Sequence, residues 1–203
     1  YFTEYAPQQS SEVPALSRVR RVTRQIRADG SAGWSVDTVT GGVRRADLPP
    51  ATQSIATATF RALAGIVVTP DGSLLVADTA SPGYLLRISP STQVTRYAGT
   101  TVEPPANTAL TTANVYLTSP YSLAYDRAGN LLVSYSGNMP NGGTVISIAP
   151  DGVVSTVAGG GVVCAPGAAC GDRGLAAQST LANFPMLAVA PEGTVYVGQQ
   201  SIR

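Results

Sequence analysis

The sequence predicts an all-β protein built from repeated four-stranded antiparallel sheets. Short apolar runs alternate with turns rich in Gly, Pro, Asp and Ser, and runs of about 4–8 β-branched or aromatic residues between such turns are typical of strands. The pattern recurs, because equivalent turn glycines lie 57 residues apart at Gly72 and Gly129 and 64 residues apart at Gly129 and Gly193. With 44% hydrophobic and 12% charged residues, the composition indicates a chain that folds around a buried core.

The clearest copy of the repeat covers residues 64–100. Turns containing Pro70-Asp71-Gly72 and Ser81-Pro82-Gly83 separate its apolar runs. One such sheet exposes two apolar faces and would be marginally stable alone, so it requires further copies on either side. The four predicted strands of this copy are Ile66–Val68, Leu74–Ala77, Tyr84–Ile88 and Val94–Ala98.

A second full copy is predicted at residues 117–160, and partial copies at 1–42 (strands 2–4) and 184–203. Linkers are predicted at 43–63, 101–116 and 161–183, and each copy whose fourth strand is present closes on a Gly. The predicted strands of the second full copy are Ser122–Tyr125, Leu131–Tyr135, Thr144–Ile148 and Val153–Ala158. Those of the first partial copy are Tyr1–Tyr5, Arg18–Ile26 and Trp34–Thr40.

Repeats of this length with four strands each favour a β-propeller, in which each sheet is a blade. The inner strands are apolar almost throughout, as expected if both blade faces are covered by neighbours. A parallel β-helix is the structural competitor, but its coils are shorter and need no antiparallel hairpins. About three and a half blades are present and propellers close with about 4–8, so we expect one propeller domain whose other blades lie outside these residues or on another chain.

The repeats resemble the NHL family of β-propellers, in its extracellular, teneurin-like or bacterial-surface form. The resemblance covers nearly the whole chain and depends on the recurrence of several weak motifs in order. It implies a carboxylate at the end of the second strand, present as Asp78 and replaced by Ser134 and Gly198 in later copies. The matching stretches are Gly65–Val68, Pro70–Gly72, Leu75–Asp78, Arg18–Val22, Ser155–Gly160 and the linker Cys170–Ser179.

Residues for catalysis are scarce. The chain has no His and no Lys, and all 13 basic residues are Arg, which removes the commonest general base, the commonest metal ligand and any Schiff-base lysine. No two acidic residues lie close together on one face, and most acidic residues occupy hairpin turns, where Asp bonds its own backbone. We therefore predict no catalytic residue, no metal ligand and no cofactor in these residues. The turn carboxylates are Asp29, Asp71, Asp126, Asp151 and Glu192.

Cys164 and Cys170 enclose five residues in an otherwise Cys-free chain. A disulfide is the preferred interpretation, because a metal site would lack further ligands and a redox Cys pair would have two intervening residues. The bridge would contribute about 2–3 kcal/mol, since its loop is short. It would also place the protein in an oxidising compartment, extracellular or at the cell surface.

Five arginines form the only dense charge in the sequence: Arg18, Arg20, Arg21, Arg24 and Arg27. One hypothesis is a contact for an acidic protein partner or an anionic glycan. Binding of RNA is less favoured, because no aromatic residue lies between the arginines to stack on bases. The alternative is an exposed strand whose Arg stems cover apolar surface.

From these features we expect a non-catalytic protein-interaction or assembly module of a larger secreted or cell-surface protein, such as part of an extracellular fibre, appendage or adhesion complex. Its partners would be proteins or other segments of the same chain. One alternative is a six-bladed propeller hydrolase or lyase whose metal ligands lie in other blades. A second is binding of RNA or anionic glycan by the five arginines. No run approaches the roughly 18 apolar residues of a membrane span.

Overall fold

A computed structural model describes residues 1–6, 15–90, 93–136, 142–161 and 173–198. Within these residues the protein is all-β apart from one 3₁₀ turn at Ala176–Gln178. The strands form antiparallel sheets of the kind expected for consecutive blades, with strand neighbours in chain order. The prediction of a partial β-propeller is confirmed.

The strands are numbered here in chain order and grouped by blade. Blade 1 contains β1 (Phe2–Ala6), β2 (Leu16–Ile26) and β3 (Ala32–Val43). Blade 2 contains β5 (Leu63–Val68), β6 (Leu74–Asp78), β7 (Tyr84–Ile88) and β8 (Gln93–Ala98). Blade 3 contains β9 (Pro120–Tyr125), β10 (Leu131–Ser136), β11 (Gly143–Ile148) and β12 (Val154–Gly159), and the described part of blade 4 contains β13 (Met186–Val189) and β14 (Val195–Gly198). A short strand from the predicted linker, β4 (Thr52–Ser54), pairs with the outer edge of β8.

The hydrophobic core lies between the blades. In β6, Leu74 and Val76 belong to the cluster shared with blade 1, whereas Leu75 and Ala77 belong to the cluster shared with blade 3. A third, smaller cluster joins blade 3 to blade 4. Successive side chains of a strand point to opposite faces, so a blade with a neighbour on each side needs apolar residues at every position of its central strands. This is why the runs are continuous and do not alternate with polar residues.

The glycine that closes each blade has a steric role. Gly41, Gly99 and Gly159 have φ values of +92°, +110° and +84°, which side chains rarely adopt. A Cβ added at these positions would lie 2.3–2.6 Å from a backbone oxygen near the start of the third strand of the same blade. The recurrence of Gly in the sequence therefore reflects close backbone contact as well as backbone conformation.

Asp78 holds the incoming linker against blade 2. Its fully buried carboxylate accepts the backbone N–H groups of Arg61 and Ala62, both at 3.2 Å, and lies 3.5 Å from the Arg61 Nε. The Arg61 guanidinium also donates to the carbonyl of Pro82 at 2.7 Å and lies over the Tyr84 ring. A charge buried this deeply is tolerated because it is paired and hydrogen-bonded.

The strand register shows which residues of the other blades are equivalent to Asp78, and it corrects the equivalence inferred from the sequence. Leu74 pairs with Ile88 and Leu131 pairs with Ile148, so Asp78 is equivalent to Tyr135 and not to Ser134. The equivalent of Asp78 in blade 4 lies one residue beyond Gly198, outside the described residues. In blade 1 the position is held by Glu4, which pairs with Arg18 as Asp78 pairs with Tyr84.

We expect Gly99→Ala to lower the free energy of unfolding more than Gly72→Ala. Gly72 also has a positive φ, +81°, but nothing lies within 4 Å of an added Cβ, so that change costs only about 1–2 kcal/mol of backbone strain. At Gly99 the Cβ would meet the Gly83 oxygen at 2.6 Å and the Tyr84 ring at 2.9 Å, which adds about 1–3 kcal/mol. Urea denaturation of the two variants measures the difference, and equal losses would contradict the close-contact role.

Candidate functional site

A groove opens between blades 2 and 3, at the end of blade 2 that carries the hairpin turn between β5 and β6. Its cavity volume is about 230 Å³. The buried Leu75 side chain contributes to its lining from β6, and Tyr125 reaches it from the last position of β9 on blade 3. The lining residues are Thr69, Pro70, Asp71, Leu75, Arg87, Tyr97 and Tyr125. A neighbouring cavity of about 260 Å³ shares Asp71 and Arg87 and continues along blade 2.

A β-bulge positions Tyr97 in the groove. Leu85 pairs with Ala98 and Leu86 with Arg96, so Tyr97 is the extra residue of β8. A bulge bends the strand and redirects the side chain of the inserted residue. Blades 1 and 3 have bulges at the equivalent positions, at Val39 and Val157, but these residues are aliphatic.

Asp71 and Arg87 form a half-exposed ion pair that lines the groove. The Asp71 carboxylate accepts hydrogen bonds from the hydroxyls of Thr69 and Ser73, the latter at 3.0 Å, and from the Arg87 guanidinium. These bonds, the Thr69 bond first, lower the pKa of Asp71 from its ordinary 3.8 to about 2. The carboxylate is therefore ionised at neutral pH and keeps the Arg87 side chain at the groove while 44% of that side chain stays exposed.

Two phenols complete the polar lining. Burial raises the pKa of Tyr97, and the nearby Arg87 cation opposes that rise. Burial also raises the pKa of Tyr125, with further contributions from Tyr97 and Asp71. Both hydroxyls are therefore protonated at neutral pH, so each can donate one hydrogen bond and accept others.

This combination of side chains is specific to blade 2 and is not a feature of the repeat. Arg21 of blade 1 is equivalent to Arg87, but Val39 holds the position of Tyr97 there. Structural glycines and core apolar residues recur from blade to blade, whereas the full set of Asp71, Arg87 and Tyr97 does not. Turn and strand register identify their counterparts in blade 3 as Ala128, Ser147 and Val157. Packing of the blades therefore does not require these three side chains.

The five predicted arginines do not form one free basic patch. The Arg18 guanidinium donates two hydrogen bonds to Glu4, at 2.9 and 3.0 Å, and Arg20 donates a third at 3.0 Å. The Arg18 bonds lower the pKa of Glu4, and that carboxylate in turn raises the pKa of Arg18. Arg21 lies 3.6 Å from Asp37 on the opposite face of the sheet.

Arg24 and Arg27 have no carboxylate partner within the described part of the chain. The Arg27 guanidinium lies over the Gly33 backbone. Arg24 pairs in register with Trp34 on the adjacent strand. The residues along β2 give no sign of this aromatic neighbour, because Trp34 is ten residues from Arg24 in the chain and only the strand register places the two side by side.

The other predicted sites are outside what the structure describes. Cys164 and Cys170 fall among residues 162–172, so the disulfide stays a prediction. Within the described ranges, no three His, Cys, Asp or Glu residues lie together in a way that could hold a metal ion. No helix in those ranges is long and apolar enough to cross a membrane.

Comparison with known proteins shows a structural likeness at low similarity. No protein-family model matches the chain, and neither does any curated protein. A solved structure that it resembles is that of a candidate gluconolactonase, at 14% sequence identity and a TM-score of 0.45. The match covers 92% of this chain and 48% of that protein, so the chain spans about half of its length. At this similarity no residue role, substrate or activity is transferred to this chain.

The expected non-catalytic interaction or assembly module is contradicted, because the protein that this chain resembles is described as an enzyme. That expectation was inferred from the scarcity of catalytic residues in three and a half blades. A propeller site is assembled from several blades, so scarcity in some of them does not decide the function of the whole ring. We therefore discard the fibre, appendage and adhesion interpretation, and the enzymatic alternative is taken up below as a proposal.

We expect Asp71→Asn to destabilise the protein at pH 7 but much less at pH 2. Because the folded-state pKa is depressed to about 2, the ionised carboxylate stabilises the fold above about pH 4, and this contribution is lost as the pH falls towards 2. Urea denaturation of wild type and variant at pH 7, 4, 3 and 2 tests this. Asp47→Asn, at a carboxylate whose side chain is 89% exposed, is the control for loss of a surface charge. A difference that stays constant from pH 7 to pH 2 would refute the role of the ionised form.

Proposed function

We propose that this chain is part of a β-propeller that binds a small polyhydroxylated molecule, such as a monosaccharide or a sugar acid, in the groove between blades 2 and 3. One observation carries the proposal: Arg87 and Tyr97 of blade 2 converge with Tyr125 of blade 3 on one cavity. Tyr97 is replaced by Val39 in blade 1 and by Val157 in blade 3, so the repeat does not require a tyrosine there.

The groove offers the contacts that such a ligand needs. The Arg87 guanidinium and the two protonated phenols supply hydrogen-bond donors, and the Asp71 carboxylate supplies an acceptor. Leu75 and the tyrosine rings provide apolar surface for the C–H groups of a sugar ring. A binding site with mostly apolar walls and a few convergent polar groups is the usual form of a small-molecule pocket.

The size of the groove limits the ligand. Pockets for drug-sized molecules have about 300–1,000 Å³, and this cavity has about 230 Å³. The expected ligand is therefore a single sugar ring or a molecule of similar size. A carboxylate on it would compete with Asp71 for Arg87, which favours a binding mode in which Arg87 is shared between the two carboxylates.

Membership of the NHL family, the disulfide and an extracellular or cell-surface location are retained as parts of this proposal. The order of the motifs in the sequence supports the first, and the spacing of Cys164 and Cys170 supports the other two. None of them is needed for the groove to bind a sugar.

The test is an NMR titration of the ¹³C-labelled tyrosine rings with glucose, N-acetylglucosamine and glucuronate. We expect saturable shifts of Tyr97 and Tyr125 with at least one sugar, and Arg87→Met should weaken that binding about tenfold or more, because a hydrogen bond to a charged group contributes about 1.5–3 kcal/mol. Tyr196→Phe is the matched control, since Tyr196 lies on blade 4 and is 58% exposed. Shifts absent with all three sugars, or equally strong in the Arg87 variant, would overturn the proposal.

An enzymatic function of the complete propeller is compatible with this groove and is the second candidate. The sequence-based alternative was a hydrolase or lyase whose metal ligands lie on other blades. Metal analysis of the longest natural form of the protein separates the two candidates. A stoichiometric divalent cation that resists dialysis would support the enzyme, whereas a metal-free protein that still binds a sugar would support binding alone.

A further inference from the structure

The β2–β3 hairpin of blade 1 is longer than its counterparts in blades 2 and 3. The bulges at Val39 and Tyr97 align the blades, and this alignment makes Val22 equivalent to Ile88 of blade 2. In blade 2 the turn begins directly after Ile88, where the Ser89 N–H donates to the Gln93 carbonyl. In blade 1 the equivalent hydrogen bond, from the Arg27 N–H to the Ser31 carbonyl, lies four residues further along the strand. Residues 23–26 and 32–35 are therefore additional, four on each strand.

These eight residues form a two-stranded arm. At about 3.4 Å per residue, four residues extend it roughly 13 Å beyond the level at which the described strands of blade 2 end. Within the described residues, β1 lies beside β2 as far as Arg20. Every residue of β2 from Arg21 to Ile26 is exposed. Blade 2 leaves the arm uncovered, so packing on blade 2 does not account for these extra residues.

One face of the arm is apolar and cationic. Arg24 lies opposite Trp34 and Ile26 opposite Ala32, and directly opposed residues of an antiparallel pair share a face. Trp34 is 71% exposed and Ile26 66% exposed, which is high for side chains of this size. The other face has smaller polar residues, since Thr23 lies opposite Ser35 and Gln25 opposite Gly33.

Among the described residues, no carboxylate balances the charge on the Trp34 face. Glu4 is bound by Arg18 and Arg20, and Asp37 lies on the opposite face beside Arg21. Asp29, at the tip, accepts the backbone N–H of Ser31 at 2.9 Å. The face therefore combines a flat aromatic ring with an unpaired guanidinium, and this arrangement is complementary to a ligand that has both a hydrophobic ring face and a negative charge.

We propose that the arm binds an acidic polysaccharide. The C–H face of one sugar ring packs on Trp34, and a carboxylate or sulfate of the same or the adjacent sugar pairs with Arg24. A single-stranded nucleic acid offers the same two chemistries, but proteins that bind it use several stacking side chains along a continuous basic groove. The described arm has one aromatic ring and one unpaired cation on this face, which fits a glycan better. This site is on blade 1 and does not depend on the proposed sugar groove.

The test uses the whole chain and immobilised polygalacturonate and heparin, with dextran as the uncharged control. We expect binding to at least one acidic glycan and none to dextran. Trp34→Ala and Arg24→Gln should each weaken binding about tenfold or more, because both groups contact the ligand. Thr23→Ala, on the opposite face of the arm, is the matched control and should leave the affinity unchanged. All three residues are exposed, so equal urea midpoints would show that the fold is retained.

Three results would overturn the proposal. If acidic glycans bind the Trp34 and Arg24 variants as tightly as wild type, the site lies elsewhere. If neither acidic glycan binds at low salt, the arm is not a glycan-binding site. Tighter binding of poly(U) than of either acidic glycan would identify nucleic acid as the ligand. The salt dependence adds a fourth measurement: one ion pair predicts a slope of log K against log salt of about −1, and a much steeper slope indicates contact with many charges.

Discussion

The packing of one blade face on the next is the constraint on which the rest of this structure depends. Each described core cluster lies between two blades, so a blade is stabilised by its neighbours more than by its own hairpins. Alternate residues of β6 pack in opposite directions, towards blade 1 and towards blade 3. The closing glycines, the bulges and the buried pair of Asp78 and Arg61 all serve this arrangement, because each keeps backbone or linker close against a blade.

The same constraint separates structural residues from candidates for function. Residues that blade packing requires recur at equivalent positions, as the bulges and the closing glycines do. Asp71, Arg87 and Tyr97 do not recur together in blade 1 or blade 3, and the four-residue extensions of β2 and β3 have no counterpart in blade 2. Each of the two proposed sites therefore lies where one blade differs from the repeat. The differing side chains are not needed for packing on the neighbouring blade.

Sequence analysis was most reliable where the repeat itself carried the information. The strands of blade 2 were predicted to within three residues at each end, because Pro-Asp-Gly and Ser-Pro-Gly turns bound them. The prediction of function was the least reliable. A scarcity of catalytic residues in about three and a half blades was taken as evidence about the complete propeller. Sequence analysis also placed the equivalent of Asp78 one residue early, at Ser134, because only the strand register distinguishes Ser134 from Tyr135.

The amino-acid sequence alone determined the fold class and the strands of blade 2, because turn residues and apolar runs act over a few neighbouring positions. Tertiary structure decided which residues meet. Tyr97 and Tyr125 are 28 residues apart and reach one groove only because a bulge redirects the first and the adjacent blade supplies the second. Trp34 lies beside Arg24 only through the register of the β2–β3 hairpin. Contacts of this kind depend on pairing and packing between distant segments, which local sequence patterns do not specify.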